Sequence, residues 1–220
     1  QVGRALGEVH DLDTFDGYGP IVDAERVDPV DAGGTRPLAR EYGLTLDDPH
    51  DTWASQLPAT AEWMLERLAD TRFGDLAPAM RTAIERRRDG LDLSGSPVIA
   101  RIDHHPGNLA VDRESRTVTG LLDWGLTRTT HPEYELACAE QGFCGTDSLD
   151  SERRERIRTA LYEGYDETAG LPSDDGFAER RRVHLLVFHA SNMTWMSGWV
   201  TPEIADEVER NNREFVAELL

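Results

Sequence analysis

Apolar residues recur every three or four positions through most of this chain, which is the spacing of helices with one buried face. Val2, Leu6 and Val9 predict a helix over residues 1–12. The same spacing predicts six further helices, at residues 51–71, 76–91, 132–141, 151–169, 177–198 and 202–220. The segment 177–198 is apolar nearly all round, so we expect it at the centre of a helical bundle.

Two regions break the helical pattern. Residues 13–50 are rich in Gly, Pro and Asp and predict a long irregular loop, of the kind that is functional or inserted. Residues 98–100 are a short β-like run, and residues 109–111 and 118–122 flank a polar turn, which predicts a β-hairpin. The chain is therefore predicted to be mainly α, of the α+β class, with a small β-hairpin in a helical bundle.

Acidic residues dominate the charge. The 220 residues include 42 acidic and 23 basic side chains, a net charge of −19, and every basic residue is Arg. This charge repels phosphate backbones, so we expect no binding to nucleic acid. The acid could steer a cationic substrate, or it could keep the surface hydrated in strong salt, where repulsion is screened. Its dispersal along the chain favours the second interpretation, and dispersed acid without Lys resembles proteins of salt-loving archaea.

The sequence has no membrane or export signal. No apolar run approaches the roughly 18 residues of a membrane helix, and the N-terminal residues lack the pattern of a signal peptide. We therefore expect a cytoplasmic protein with no membrane partner. Cys138 and Cys144 are expected to be free thiols in a reducing cytosol, because a lone C-x5-C pair makes a poor zinc site.

Polar residues gather around the predicted β element. Asp103 and Asn108 precede the first hairpin strand, and Asp123 follows the second. Two hard oxygen ligands, completed by phosphate oxygens and water, suit Mg²⁺. A carboxylate just before them can accept or orient the proton of an attacking hydroxyl. The pattern is therefore coherent with phosphoryl transfer.

Three motifs in this region carry a family resemblance. They are Asp103-His-His-Pro-Gly-Asn108-Leu, Gly120-Leu-Leu-Asp123-Trp and His131-Pro-Glu-Tyr-Glu135-Leu-Ala. In this order and spacing they resemble the aminoglycoside phosphotransferase and choline kinase family, which has a protein-kinase-like fold. The resemblance is best over residues 97–141. It implies a kinase that moves the γ-phosphoryl group of ATP, with Mg²⁺, to a hydroxyl of a small molecule.

The resemblance also implies residue roles. Asp103 falls on the catalytic base, and Asn108 and Asp123 fall on the Mg²⁺ ligands. His105 falls on the histidine that holds the catalytic loop by hydrogen bonds, and Glu135 falls on the acid that braces that loop.

The sequence departs from the family pattern beside the base. Arg101 and Ile102 stand where the family has His and Gly, and Glu135 stands where it has Asp. We expect Arg101 to pair with an acid such as Glu135, and Ile102 to leave less room beside the base. Trp124, next to the metal-ligand position, has either a structural or a functional role.

The resemblance predicts one lobe of a two-lobed protein. The family's N-terminal lobe supplies a β-sheet and a phosphate-holding Lys, whereas this chain has no Lys and no strand-rich stretch before the loop. We therefore expect residues 1–220 to form the C-terminal lobe, with the nucleotide-binding lobe absent. Its parts would be helices and a long loop at 1–96, the catalytic and metal-binding core at 97–141, and C-terminal helices at 142–220.

Other interpretations stay open at this point. A kinase-like lobe could bind a small molecule or partner without transferring phosphate, or it could be a truncated lobe that lacks nucleotide binding. A metal-dependent hydrolase could use Asp103, His105 and Asp123. Trp195 and Trp199 could be core residues or the aromatic wall of a substrate pocket.

Overall fold

The computed structural model describes residues 1–12, 14–28, 32–91, 93, 95–171, 174–198 and 200–220. The α-helices in these ranges are α1 (Val2–His10), α2 (Pro37–Glu41), α3 (Trp53–Leu68), α4 (Ala77–Arg86), α5 (Pro132–Cys144), α6 (Glu152–Asp166), α7 (Phe177–Thr194) and α8 (Ala205–Leu219). The strands are β1 (Ile21–Asp23), β2 (Ala32–Gly33), β3 (Leu44–Asp47), β4 (Val98–Ala100), β5 (Leu109–Asp112), β6 (Thr117–Leu121) and β7 (Arg128–Thr130).

The helices follow the apolar spacing of the sequence. All seven predicted helices form, and their ends lie within a few residues of the predicted ends. The main core joins α3, α4, α5, α7 and α8. Helix α7 lies at its centre, since consecutive residues from Val183 to Ala190 are buried. The prediction of a buried central helix is therefore confirmed, while Trp199 lies outside the described residues.

Residues 14–50 differ from the predicted irregular loop. Strands β1 and β2 pair antiparallel with the two sides of β3, and helix α2 connects β2 to β3. Phe15, Ala39 and Leu46 form a small core beneath this sheet. The strands are only two to four residues long, so alternation of apolar residues could not predict them.

Strand β7 joins the sheet of β1, β2 and β3 to β4, the first of the β-like runs that the sequence predicted. Strand β4 pairs antiparallel with β7, with Ile99 opposite Thr129. On its other edge β7 meets the segment before β1, where the backbone N–H of Thr129 donates to the carbonyl of Gly19 at 2.8 Å. The hydroxyl of Thr129 also accepts from the N–H of Gly19 at 2.8 Å. Strand β7 is therefore bonded on both edges.

Helix α5 holds three buried carboxylates, Glu133, Glu135 and Glu140. Glu133 accepts two hydrogen bonds from Arg180, at 2.7 and 2.8 Å. Glu140 accepts from Arg154 at 2.9 Å and also from Arg181. Arg180 and Arg181 of α7 therefore supply two cations to the interior, because a buried carboxylate requires a charged partner.

Two smaller findings bear on the class of protein. Among the described helices, none is long and apolar enough to cross a membrane. Cys138 and Cys144 are buried and free, as predicted.

Candidate functional site

The candidate site is built on the loop that follows β4, here called the 101–108 loop. The backbone reverses sharply at its start, because Ile102 adopts a φ of +70° in the left-handed region. This region disfavours β-branched residues and suits glycine, which is the residue the family pattern has at this position. The loop ends in a short 3₁₀ turn at Pro106–Asn108 that leads directly into β5.

Asp103, Asn108 and Asp123 meet on the open side of this loop. The side-chain amide of Asn108 donates from Nδ2 to Oδ2 of Asp103 at 3.0 Å. The hairpin brings Asp123 to the same place, since Leu109 pairs with Leu121 and the N–H of Leu122 donates to the carbonyl of Asn108 at 2.9 Å. The structure thus brings together the three residues that the sequence predicted as base and metal ligands.

Asp123 is held in an unusual backbone conformation. Its φ is +58°, and its Oδ1 accepts from the N–H of Gly125 at 3.3 Å. Left-handed backbone at a non-glycine residue is uncommon and concentrates at functional sites. Asp123 is also exposed to solvent, so its carboxylate is accessible to a ligand.

Glu135 supports the loop from below. Its Oε1 accepts the backbone N–H of Arg101 at 2.8 Å and lies 2.6 Å from Nε2 of His104, and its Oε2 accepts the N–H of Ile102 at 3.3 Å. Glu135 is 0% exposed. Burial raises the pKa of Glu135, but its interactions with His104 and His10 and the hydrogen bond from the N–H of Arg101 together outweigh burial and hold that pKa below its ordinary value.

The guanidinium of Arg101 does not take the place that we expected. It donates to the carbonyl of Leu122 and lies 3.0 Å from Nδ1 of His104. The imidazole of His104 bonds to the carboxylate of Glu135, so Arg101 contacts that carboxylate through its backbone N–H and not through its guanidinium. Burial lowers the pKa of Arg101, but an Arg side chain remains protonated in proteins. Arg101 therefore links the 101–108 loop to the end of the hairpin.

A glycine permits this loop to lie directly on α5. A Cβ added at Gly142 would fall 1.7 Å from the carbonyl oxygen of His104. No side chain can be accommodated at that distance from a backbone atom, so the close approach of loop and helix requires glycine here.

His104 is the residue that sequence reasoning missed. It is buried and joins Arg101 to Glu135, whereas His105 is exposed and its Nδ1 accepts the N–H of Gly107 at 3.0 Å. Adjacent residues in extended backbone point to opposite sides, so the paired histidines indicated that one of them faces inward. The sequence held no signal for which one, and the role of His105 stays a prediction.

Trp124 lies at the edge of an apolar cavity of about 500 Å³. The indole is 40% exposed, and its Nε1 donates to the carbonyl of Leu121 at 2.9 Å. This bond fixes the turn after β6, so Trp124 has at least a structural role beside Asp123.

His10, at the end of α1, lies close to the buried side of the loop. Its Nδ1 is 2.8 Å from the hydroxyl of Tyr165, while its Nε2 is buried without a partner among the described residues. Burial lowers the pKa of His10 to about 4, although the charge of Glu135 acts in the opposite direction.

The metal set of the hydrolase interpretation is not assembled. Within the described part of the chain, no group of three or more His, Cys, Asp or Glu side chains is placed to hold a metal ion. Asp103, His105 and Asp123 therefore do not form the three-ligand metal site that the alternative requires, and Nδ1 of His105 accepts the N–H of Gly107 within its own turn.

Comparison with known proteins extends these observations. The sequence matches the family model described as the phosphotransferase enzyme family over residues 1–177. No curated protein sequence matches the chain. Among solved structures, the chain is similar to a candidate fructosamine-3-kinase of Haemophilus somnus 129PT, at 14% identity and a TM-score of 0.51. The match covers 97% of this chain and 61% of that one, so this chain spans about three fifths of the length of that protein.

The structural likeness establishes the fold. The helix-rich arrangement with small sheets matches a kinase-like phosphotransferase fold, which confirms the predicted fold class.

Proposed function

This chain belongs to the phosphotransferase enzyme family, and from that premise we propose that it moves the γ-phosphoryl group of ATP to a hydroxyl of a small molecule. The observation that carries the proposal is the meeting of Asp103, Asn108 and Asp123 at one end of the β5–β6 hairpin. A proton acceptor and hard oxygen ligands at one point are the side chains that phosphoryl transfer requires.

Asp103 would act on the acceptor hydroxyl. The bond from Asn108 to its Oδ2 stabilises the carboxylate and fixes its orientation, so that Oδ1 can face an incoming hydroxyl. Asp103 would then take the proton as the hydroxyl oxygen bonds to phosphorus and ADP leaves. The hydrogen bonds that the N–H groups of Arg101 and Ile102 donate to Glu135 would hold the loop, and with it the carboxylate of Asp103, in place between turnovers.

Asn108 and Asp123 are the residues that fit Mg²⁺. Since the amide nitrogen of Asn108 bonds to Asp103, its amide oxygen is left for a ligand, and the exposed carboxylate of Asp123 lies at the neighbouring end of the hairpin. One carboxylate and one amide oxygen, together with phosphates and water, suit the coordination of Mg²⁺. When bound, Mg²⁺ supplies positive charge to the phosphate oxygens.

We further propose that residues 1–220 form the lobe that carries the catalytic loop, and that it works in a cytosol of high salt. The share of the structural relative that this chain spans supports the first part. The net charge of −19 without Lys supports the second.

Calorimetric titration of Mg²⁺-ATP in molar KCl tests the proposal. We expect saturable binding to the chain and its loss in Asp123→Ala. Glu114→Ala is the matched control, because it removes one exposed carboxylate from the turn at the other end of the same hairpin. Binding that survives in Asp123→Ala would contradict the metal assignment.

Turnover provides the second test. Asp103→Ala should retain nucleotide binding and lose phosphate transfer to any acceptor that the unaltered protein accepts. A protein that binds nucleotide but transfers phosphate to none of a panel of hydroxyl compounds would be a non-catalytic binding module, and the proposed reaction would be wrong.

A further inference from the structure

The guanidinium of Arg101 lies between the two segments that carry the proposed metal ligands. The residue is 0% exposed. Its Nη1 donates to the carbonyl of Leu122 at 2.5 Å and lies 3.5 Å from the carbonyl of Asn108. Leu122 immediately precedes Asp123. One nitrogen atom therefore contacts the backbone at or next to both proposed ligands of Mg²⁺.

The other end of the guanidinium is anchored in the interior. Its Nη2 lies 3.0 Å from Nδ1 of His104, and since a guanidinium only donates, Nδ1 accepts this bond. Nε2 of the same ring then carries the proton that it donates to Oε1 of Glu135 at 2.6 Å. The guanidinium is planar and rigid, so the anchoring of Nη2 also fixes the direction of Nη1.

The bond to Leu122 acts on the backbone conformation of Asp123. The φ angle of Asp123 is +58°, and it measures the rotation of Asp123 against the peptide group that begins with the Leu122 carbonyl. A non-glycine residue keeps a left-handed conformation only where its surroundings hold it there. A hydrogen bond from a charged donor is stronger than one between neutral groups, and here it restrains the orientation of that peptide group.

We propose that Arg101 is a positioning residue that holds Asp123 in its left-handed conformation and thereby sets the affinity of the site for Mg²⁺. The first half concerns the protein without metal, and the second half rests on the proposed function. Arg101 acts through the backbone of Leu122, so it needs no contact with metal or substrate.

The charge of Arg101 has the opposite effect on a metal ion. Burial lowers the pKa of Arg101, whereas the charges of Glu135, Asp103 and Asp123 raise it. The guanidinium is therefore within electrostatic range of both carboxylates of the open side, and a cation there opposes the binding of a second cation. If charge were its main contribution, removal of Arg101 would tighten metal binding. If position is its main contribution, removal weakens metal binding.

Nuclear magnetic resonance of the metal-free protein in molar KCl tests the hold on Asp123. A residue with φ near +60° gives a strong nuclear Overhauser effect between its own N–H and Hα protons. We expect this signal for Asp123 in the unaltered protein and a weaker one in Arg101→Met and Arg101→Lys. Methionine cannot donate a hydrogen bond, and the single nitrogen of lysine cannot reach both Leu122 and His104.

A titration with Mn²⁺ tests the effect on metal affinity. The electron paramagnetic resonance signal of Mn²⁺ reports the unbound ion, and binding to Asp123→Ala gives the background from other surface carboxylates. We expect Arg101→Met and Arg101→Lys each to weaken the remaining binding by about 10–100-fold, as for other residues that orient metal ligands. Lysine keeps the positive charge, so weaker binding in Arg101→Lys is an effect of position.

Arg154→Met is the matched control for a loss of stability. Arg154 is also 0% exposed, and it also donates to backbone carbonyls, those of Gly145 at 2.8 Å and Asp147 at 3.0 Å. It lies on α6, outside the 101–108 loop and the hairpin. Arg154→Met should lower the melting temperature and leave both the Asp123 signal and the affinity for Mn²⁺ unchanged.

Three results would overturn the proposal or part of it. An unchanged Asp123 signal in the Arg101 variants would show that another group holds Asp123. Equal or tighter binding of Mn²⁺ in Arg101→Met would show that position does not set the affinity, and Arg101→Lys decides this point if Arg101→Met does not fold. If the unaltered protein binds no Mn²⁺ above the background, the metal assignment of the proposed function is wrong. The affinity half then falls with it, and the Asp123 signal alone decides the first half.

Discussion

The buried side and the open side of the 101–108 loop are built in opposite ways. On the buried side, the carboxylate of Glu135 bonds to His104 and to the backbone N–H groups of Arg101 and Ile102. On the open side, Asp103 bonds to Asn108, and Asp123 bonds to the N–H of Gly125 within its own turn. On the buried side the polar groups form hydrogen bonds with one another. On the open side the carboxylates of Asp103 and Asp123 keep oxygen atoms available to a ligand.

The buried side therefore supports the loop, and the open side carries the groups proposed to bind and react. A site that must present a carboxylate at a fixed point needs a rigid support beneath it. Groups that bind substrate or metal must keep free lone pairs, which costs stability unless water reaches them. Solvent reaches Asp103 and Asp123 but not Glu135. We therefore expect substitutions on the buried side to change stability and activity together, and those on the open side to change activity alone.

Glu135→Ala should give the largest effect, because it removes the carboxylate from three donors in the interior. A buried donor left without its partner costs about 1–3 kcal/mol of folding free energy. Denaturant unfolding in molar KCl measures this loss, and phosphate transfer should fall with it. Glu135→Gln, which keeps an oxygen for the backbone N–H groups, should lose less. Unchanged stability in Glu135→Ala would contradict the role of the buried side.

Asp103→Asn tests the open side. Loss of the proton acceptor should reduce turnover about 10²–10⁴-fold, while the free energy of unfolding stays within about 0.5 kcal/mol of the unaltered protein. Steady-state kinetics and denaturant unfolding on the same sample measure both quantities. A large loss of stability would show that Asp103 holds the loop. The open side would then not differ from the buried side in the way described above.

The pH dependence of stability sharpens the contrast through His10. Its pKa is lowered by burial from 6.5 to about 4 in the folded protein. The unfolded chain therefore binds more protons between these values, so stability falls as the pH drops from about 6.5 toward 4. Glu135, His104 and the hydroxyl of Tyr165 are the polar groups that act on His10.

His10→Gln removes this titration. Its unfolding free energy should decline less than that of the unaltered protein over the same pH interval at constant KCl concentration. Parallel pH profiles for the two proteins would show that His10 is not the acid-sensitive group of the buried side.

Ile102→Gly should give the smallest effect. At a φ of +70° glycine relieves backbone strain of about 1–3 kcal/mol, which offsets its greater freedom in the unfolded chain and the lost contacts of the half-buried side chain. We expect a net change of about 1 kcal/mol or less. Ile99→Gly is the matched control, since Ile99 is also half-buried but lies in β4, and it should lose about 2–5 kcal/mol. Equal losses in the two variants would argue against strain at Ile102.

The sequence predicted the parts of this molecule that rest on a regular pattern. Apolar spacing gave the helices, and the polar turn between two β-like runs gave the hairpin. The motif residues Asp103, Asn108 and Asp123 were expected at one point, and the pairing of β5 with β6 explains why they meet, because the hairpin returns the chain to its start.

The parts that the sequence did not predict depend on contacts between distant segments. Strand β7, with the sequence Arg-Thr-Thr, has no apolar alternation and is stabilised by β4 and by the segment before β1. The expected pairing of Arg101 with Glu135 failed for a related reason. Its outcome depended on His104, whose buried side chain bonds to Glu135 where the loop lies against Gly142.

The position of β7 has a consequence for how this protein opens. A strand bonded on both edges releases its amide protons to solvent only when both neighbours separate, whereas the β5–β6 hairpin pairs with itself alone among the described strands. We therefore expect the amide protons of β7 and residues 19–21 to exchange late, as one cooperative unit, and those of the hairpin to exchange early. The 101–108 loop connects the two units, because it follows β4, which pairs with the slowly exchanging β7, and precedes β5, which belongs to the rapidly exchanging hairpin.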